Sequence, residues 1–179
     1  MLGQTREAIE QKAGGSAAKP RRLWDESRIL GAIAAHDDPA RTAAAKAVVD
    51  WIKAKSDRVV FNDAPSYGFI AAEFKGAVEP CMPLRLWTDG NIQINFNQLM
   101  RTAAFADVAA RQELMDRPNT ILGIALRPDA LDRQPTVRLA ALSADQGGGF
   151  LQVMDWMADR LRGAPMPGSN RTGEASATA

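Results

Sequence analysis

Two segments near the start of the chain have the residue pattern of amphipathic helices. Asp25 is a good N-cap residue, and Trp24 before it and Ile29 after it have the spacing of a hydrophobic staple. Asp38 followed by Pro39 is a second start signal, because proline is favoured at the first helical position. The pattern therefore predicts two helices, from residue 25 to about 35 and from residue 39 to about 55.

The middle of the chain has the alternating or clustered apolar residues of β-strands. The predicted strands are Arg58–Asn62, Phe69–Lys75, Leu84–Trp87 and Asn91–Phe96. Further on, the pattern predicts a helix at 107–117, a helical turn at 128–131, a short strand at 136–139 and a last helix after the glycines at 147–149. The segment 121–126 fits either a strand or a buried loop. The order α-α-β-β-β-β-α-(β)-(β)-α predicts an α+β domain, in which an antiparallel or mixed sheet of about four strands has helices mainly on one face.

The turn Thr88-Asp89-Gly90 sets the register of the clearest hairpin. A two-residue loop would pair Leu86 with Gln93, whereas a three-residue loop pairs Leu86 with Ile92. A slip of one residue turns every side chain to the other face, so the apolar match favours the three-residue loop. One group of polar and aromatic residues then shares the face opposite the leucines: Arg85, Trp87, Asn91, Gln93 and Asn95.

That hairpin face is the leading candidate for a binding surface. Amides and a guanidinium can hydrogen-bond base edges or peptide groups, and an indole can stack on a ring. The alternative is the ordinary polar outer face of an antiparallel sheet. The functional hypothesis is a non-catalytic binding or interaction module of a bacterial cytoplasmic protein, with no cofactor and with an unknown protein or nucleic acid as partner.

Composition and charge narrow the other possibilities. The formal net charge is +1, which gives no electrostatic reason to expect nucleic acid or a membrane surface. One cysteine and one histidine exclude a disulfide framework and the usual multi-histidine metal sites. No apolar run approaches the roughly 20 residues of a membrane span, and residues 1–18 hold no stretch of signal-peptide type. These observations predict a cytoplasmic protein without a membrane partner.

The two ends differ in composition from the body of the chain. Residues 1–23 carry a net charge of +3 and are predicted to form a flexible basic N-terminal arm. Residues 24–162 are predicted to form a single α+β domain, long enough to bury a core. Residues 163–179 are rich in Gly, Pro, Ser, Thr and Ala, and are predicted to be a disordered tail.

A second group of residues points to a different chemistry. Glu73 and Lys75 lie two residues apart on a predicted strand and so share a face, and Asp63 precedes them. This pattern resembles the signature of PD-(D/E)xK nucleases, whose α-β-β-β-α-β core is similar to the predicted order. The resemblance implies that Asp63 and Glu73 would bind Mg²⁺, while Lys75 would be the catalytic lysine that activates or stabilises the attacking water. The simpler interpretation is that Glu73 and Lys75 form the solvated side of the strand.

Apolar and turn residues along most of the domain carry another resemblance. They include Trp24-Asp25-Glu26, Gly68-Phe69, Leu86-Trp87-Thr88-Asp89-Gly90, Ile92–Phe96 and the segment from Phe150 to Trp156. Their spacing resembles that of a widespread family of uncharacterised bacterial proteins. The resemblance implies the α+β fold and a bacterial origin, and it implies no activity.

Overall fold

The computed structural model describes residues 24–75, 79–121, 123–142 and 144–163. The helices are α1 (Glu26–Ala34), α2 (Pro39–Lys55), α3 (Phe96–Leu99), α4 (Val108–Asn119) and α5 (Ala144–Gly163). The strands are β1 (Arg58–Phe61), β2 (Phe69–Phe74), β3 (Cys81–Trp87), β4 (Asn91–Ile94) and β5 (Thr136–Arg138). Two single turns of 3-10 helix lie at Pro128–Ala130 and Leu139–Ala141. The predictions made for residues 1–23 and 164–179 lie outside the described residues.

Both predicted helix starts are confirmed, together with the capping that predicted them. The Asp25 carboxylate accepts a hydrogen bond of 2.8 Å from the backbone N–H of Arg28. The Asp38 carboxylate accepts one of 3.1 Å from the backbone N–H of Arg41, with Pro39 in the first turn. Each cap satisfies a backbone donor that the helix itself leaves without a partner.

The five strands form one sheet in the order β1-β2-β3-β4-β5, and every neighbouring pair is antiparallel. The predicted α+β class is therefore confirmed, and the sheet is not mixed. It has one strand more than the four expected, because β5 pairs with β4 across a long stretch of chain. The predicted register is also confirmed, since Leu84 pairs with Ile94 and Leu86 with Ile92.

One face of the sheet is closed by helices. Helix α2 packs against β1, β2 and β3, and α5 packs against α2. The strand residues that meet these helices have no solvent exposure: Ile70, Ala72, Leu84, Leu86, Ile92 and Ile94. From the helices, Ile33, Val49, Phe150 and Met154 join the same core. The strand residues of the hydrophobic core thus lie on the side of the sheet that the helices cover.

The tip of the β3–β4 hairpin is attached to this helical layer. Gly90 has a positive φ of 78°, a conformation that glycine adopts without a steric penalty. A side chain at Gly90 would also collide with the guanidinium of Arg41, which donates a hydrogen bond to the backbone carbonyl of Asp89. The first turn of α2 therefore contacts the hairpin turn directly.

Two predictions of local structure need correction, and one open alternative is decided in favour of a loop. The glycines at 147–149 lie inside α5 instead of preceding it, because Phe150, Met154 and other buried residues hold the helix to the core. Residues 121–126 contain no strand in their described part; Asn119 holds this loop by accepting from the Leu126 N–H and donating to its carbonyl. The fourth strand ends at Ile94, since the chain turns directly into α3.

Candidate functional site

The side of the sheet away from the helices is the candidate site, and we call it the open face. None of its residues belongs to the hydrophobic core cluster. Strand alternation and pairing assign these residues to it: Arg58, Val60, Phe69, Ala71, Glu73, Arg85, Trp87, Asn91, Gln93, Thr136 and Arg138. The structure thus brings together four of the five residues that the sequence predicted for this surface.

Trp87 is the centre of an aromatic group at one end of the open face. Its indole stacks on the ring of Tyr67, with centroids 4.7 Å apart and planes inclined by 18°. The ring of Phe69 meets the indole edge-on at 4.9 Å. The indole N–H donates a hydrogen bond of 3.0 Å to the side-chain oxygen of Gln93. Trp87 is therefore fixed, and the ring that it supports, Tyr67, is 41% exposed.

The hydroxyl of Tyr67 ties this aromatic group to the hairpin turn. Burial, followed by a hydrogen bond to the Asp89 carboxylate, raises the pKa of Tyr67 to about 12. Burial acts to raise the pKa of Asp89, but hydrogen bonds from Tyr67 and Asn91 outweigh it and hold that pKa below its ordinary value. Asn91 donates to Asp89 from both its backbone N–H (3.0 Å) and its side-chain amide (2.6 Å). The Asp89 carboxylate is thus ionised, and Tyr67 and Asn91 both donate hydrogen bonds to it.

A chain of amides leads from Trp87 to the far edge of the sheet. The side-chain amide of Gln93 donates a hydrogen bond of 2.6 Å to the side-chain oxygen of Gln134. Gln134 and Thr136 line a surface depression of about 280 Å³, together with Arg127 and Arg133. The open face therefore continues past β5 into a concave surface.

Arg85 is the half-buried charge at the centre of the open face. Its cross-strand neighbours, Ala71 and Gln93, are both neutral. Its guanidinium carbon lies 5.0 Å from the centroid of the Phe69 ring, and burial lowers the pKa of the group. Its Nε is buried without a hydrogen-bond partner among the described residues.

Asn95 does not belong to the open face, and its prediction as a binding residue is corrected here. Its side chain has no solvent exposure, and its amide donates to the backbone carbonyl of Met82. The backbone N–H of Asn95 donates to the Pro83 carbonyl at 2.8 Å. Because β4 ends one residue earlier, Asn95 turns inward at the start of α3.

The nuclease-like residues do not converge in the structure. Glu73 pairs with Arg58, and their Oε1 and Nε atoms are 2.8 Å apart. Asp63 follows Arg58 by five residues, or about 17 Å of extended chain, and so lies near the other end of the β1–β2 pair. The backbone N–H of Lys75 donates a hydrogen bond to the Asp57 carboxylate, which lies beside the Arg58 end of β1. Within the described ranges, no group of three or more His, Cys, Asp or Glu residues is placed to hold a metal ion. The register thus removes the geometric basis of the PD-(D/E)xK interpretation.

Sequence reasoning missed two contributors to the open face. Tyr67 lies in the loop before β2, and Gln134 lies in the loop before β5. Neither loop has the periodicity that assigns a residue to a face.

Comparisons with known proteins give no further assignment. No protein-family model matches the chain, and searches of the curated proteins and of the solved structures also find no match. The resemblance to a family of uncharacterised bacterial proteins therefore stays a prediction. In the part of the chain that the structure describes, no helix combines the length and apolar character needed to cross a membrane.

Proposed function

We propose that this chain is a non-catalytic binding module that recognises a protein or nucleic-acid partner through the open face. The observation that carries the proposal is the fixed aromatic and amide group around Trp87. Two rings and a hydrogen bond to Gln93 hold this side chain, although Trp87 does not belong to the hydrophobic core cluster. Tryptophan, tyrosine and arginine are the residues that most often dominate binding energy at interfaces.

The rigidity of this group favours binding. Ordering a flexible side chain at an interface costs about 0.5–1.5 kcal/mol, and that cost is reduced when the side chain is already fixed. Tyr67, Trp87, Asn91 and Gln93 each have a defined partner within the chain. A partner would therefore meet an ordered surface with little further loss of side-chain entropy.

Photo-cross-linking in the cells from which the sequence derives tests the proposal. A photoreactive residue replaces Gln93 on the open face, and a matched chain carries it in place of Lys46 on α2. Lys46 is a suitable control because its side chain is 68% exposed and belongs to the helical layer. We expect a discrete cross-linked product from position 93 only, and digestion with protease or nuclease then identifies its class. The same products from both positions, or none from position 93, would refute the open face as a binding surface.

A further inference from the structure

The charges of the open face are unbalanced. On its strands, Glu73 is the single acidic residue, and it is already paired with Arg58. Arg85 and Arg138 also lie on this face, and neither has an ion pair or side-chain hydrogen bond with the residues that the structure describes. Arginines elsewhere are engaged, as Arg117 is with Glu113 at 2.6 Å. Among the described residues, the open face therefore carries two guanidinium groups without a counter-charge.

Burial makes this imbalance greatest at Arg85. A half-buried charge loses part of its hydration, and an anion that pairs with it recovers some of the lost free energy. Within the described chain, the Phe69 ring is what faces the guanidinium. An aromatic ring compensates a cation only weakly compared with a carboxylate in hydrogen-bonding contact. An anionic group from outside the described chain would therefore gain a favourable ion pair with Arg85.

The register fixes the spacing of the two arginines. Arg85 pairs with Gln93 on β4, Gln93 pairs with Thr136 on β5, and Arg138 lies two residues beyond Thr136. Two strand spacings of about 4.8 Å and two residues of about 3.4 Å separate the two Cα atoms by roughly 12 Å. In an extended peptide, side chains four positions apart point the same way and are about 13 Å apart. The spacing of the two arginines therefore matches acidic side chains four positions apart on one side of an extended segment.

We infer that the open face binds an acidic, extended peptide segment, whose carboxylates pair with Arg85 and Arg138. The inference rests on the proposed function and names the chemistry of its partner. The guanidinium fork matches a carboxylate with two parallel hydrogen bonds, which gives the contact direction as well as charge. Tyr67 then provides an exposed ring beside the bound segment.

A nucleic acid fits the same surface less well. Affinity for nucleic acid comes mainly from many phosphate contacts, and the open face offers two unpaired guanidinium groups. The chain as a whole has a formal charge of only +1, which gives little long-range attraction for a polyanion.

Titration of the full-length chain with three probes tests the inference. The probes are a short blocked peptide of alternating glutamate and threonine, its glutamine counterpart, and a single-stranded oligodeoxythymidine. We expect the acidic peptide to bind and to shift the indole N–H resonance of Trp87, while the glutamine peptide has no effect. Arg85→Gln should weaken binding roughly tenfold and the exposed Arg138→Gln roughly threefold, in keeping with the greater strength of a partly buried ion pair.

Arg101→Gln provides the matched control. Its side chain is 72% exposed, and its ion pair with Glu79 is weak because the two charged atoms are 4.0 Å apart. It should leave the affinity unchanged. Equal weakening by Arg101→Gln, or unchanged affinity in Arg85→Gln, would overturn the inference. So would an oligonucleotide that binds more tightly than the acidic peptide and is lost in Arg85→Gln, although that result would support the proposed function. If none of the three probes binds, the inference is also overturned. The cross-linking experiment at position 93 then decides separately whether the open face is a binding surface.

Discussion

The two faces of the sheet use the same strands in different ways. On the helix-covered face, Leu86 and Ile94 are held by burial among other apolar residues and by no directional contact. On the open face, Trp87 and Gln93 are held by specific partners, through ring stacking and side-chain hydrogen bonds. Burial provides most of the stabilising free energy of a fold, whereas individual polar contacts contribute little net. The difference indicates that one face determines stability and the other presents an ordered surface.

The largest effect is expected on the covered face. Ile94→Ala should destabilise the fold by about 2–5 kcal/mol, because it removes a fully buried side chain and leaves a cavity. Chemical denaturation followed by circular dichroism measures the loss. A cost below about 1 kcal/mol would show that this face does not form the core.

A smaller effect is expected from Trp87→Ala. Its ring is half-buried and packs on two other rings, so the loss should be about 1–2 kcal/mol, clearly less than for Ile94. The same variant should lose the cross-linked product formed from position 93. Destabilisation as large as that of Ile94→Ala, with cross-linking intact in the folded fraction, would assign Trp87 to packing alone.

The tyrosine titration tests the open face without a ligand. Tyr67 is the single tyrosine of the chain, so ultraviolet absorbance of tyrosinate follows this group alone. The midpoint in the folded protein should lie near its pKa of about 12, because burial and the hydrogen bond to Asp89 favour the neutral phenol. Since the folded pKa is raised above the ordinary value of about 10, the contact stabilises the fold fully below pH ~10 and is lost as the pH rises towards 12.

Asp89→Asn provides the control for that titration. It keeps the shape of the acceptor and removes its charge, so the pKa of Tyr67 should fall towards its ordinary value. A titration midpoint near pH 10 in the unsubstituted protein would mean that Tyr67 is not held against the turn.

The smallest effect is expected from Gln93→Ala. Its amide joins the side chains of Trp87 and Gln134, at a position that is only partly buried. The free energy of unfolding should change by no more than about 0.5 kcal/mol, as for most surface substitutions. A loss above about 2 kcal/mol, measured by the same denaturation, would place Gln93 among the residues that determine stability and would remove the contrast between the faces.

Local patterns predicted much of the fold. The caps at Asp25 and Asp38 and the register of the hairpin are decided by residues close together in the chain, which is why they could be derived. The pairing of β5 with β4 joins residues that are far apart in the sequence, and a short-range pattern of apolar residues cannot predict such a pairing. The glycines inside α5 show the same limit, since packing of the helix outweighs their poor helix propensity.

The candidate site was predicted less completely than the fold. Alternation along two strands placed Arg85, Trp87, Asn91 and Gln93 on one surface, because strand geometry alone decides it. Asn95 was misplaced because the same alternation cannot show where a strand ends and turns into a helix. The ion pair of Arg58 with Glu73 could not be predicted from the sequence either, because it depends on the register between β1 and β2.

The contact between Arg41 and the hairpin turn has a consequence for how the molecule opens. Local unfolding proceeds in units that share their hydrogen bonds, and amide hydrogen exchange reports the free energy of each opening. Arg41 belongs to the first turn of α2, and it donates to the backbone carbonyl of Asp89. The backbone N–H of Gly90 donates to the Trp87 carbonyl at 2.9 Å within the same turn. We therefore expect the Gly90 amide to exchange together with the first turn of α2, and Arg41→Ala to accelerate exchange at the turn while leaving the centre of β3 unchanged.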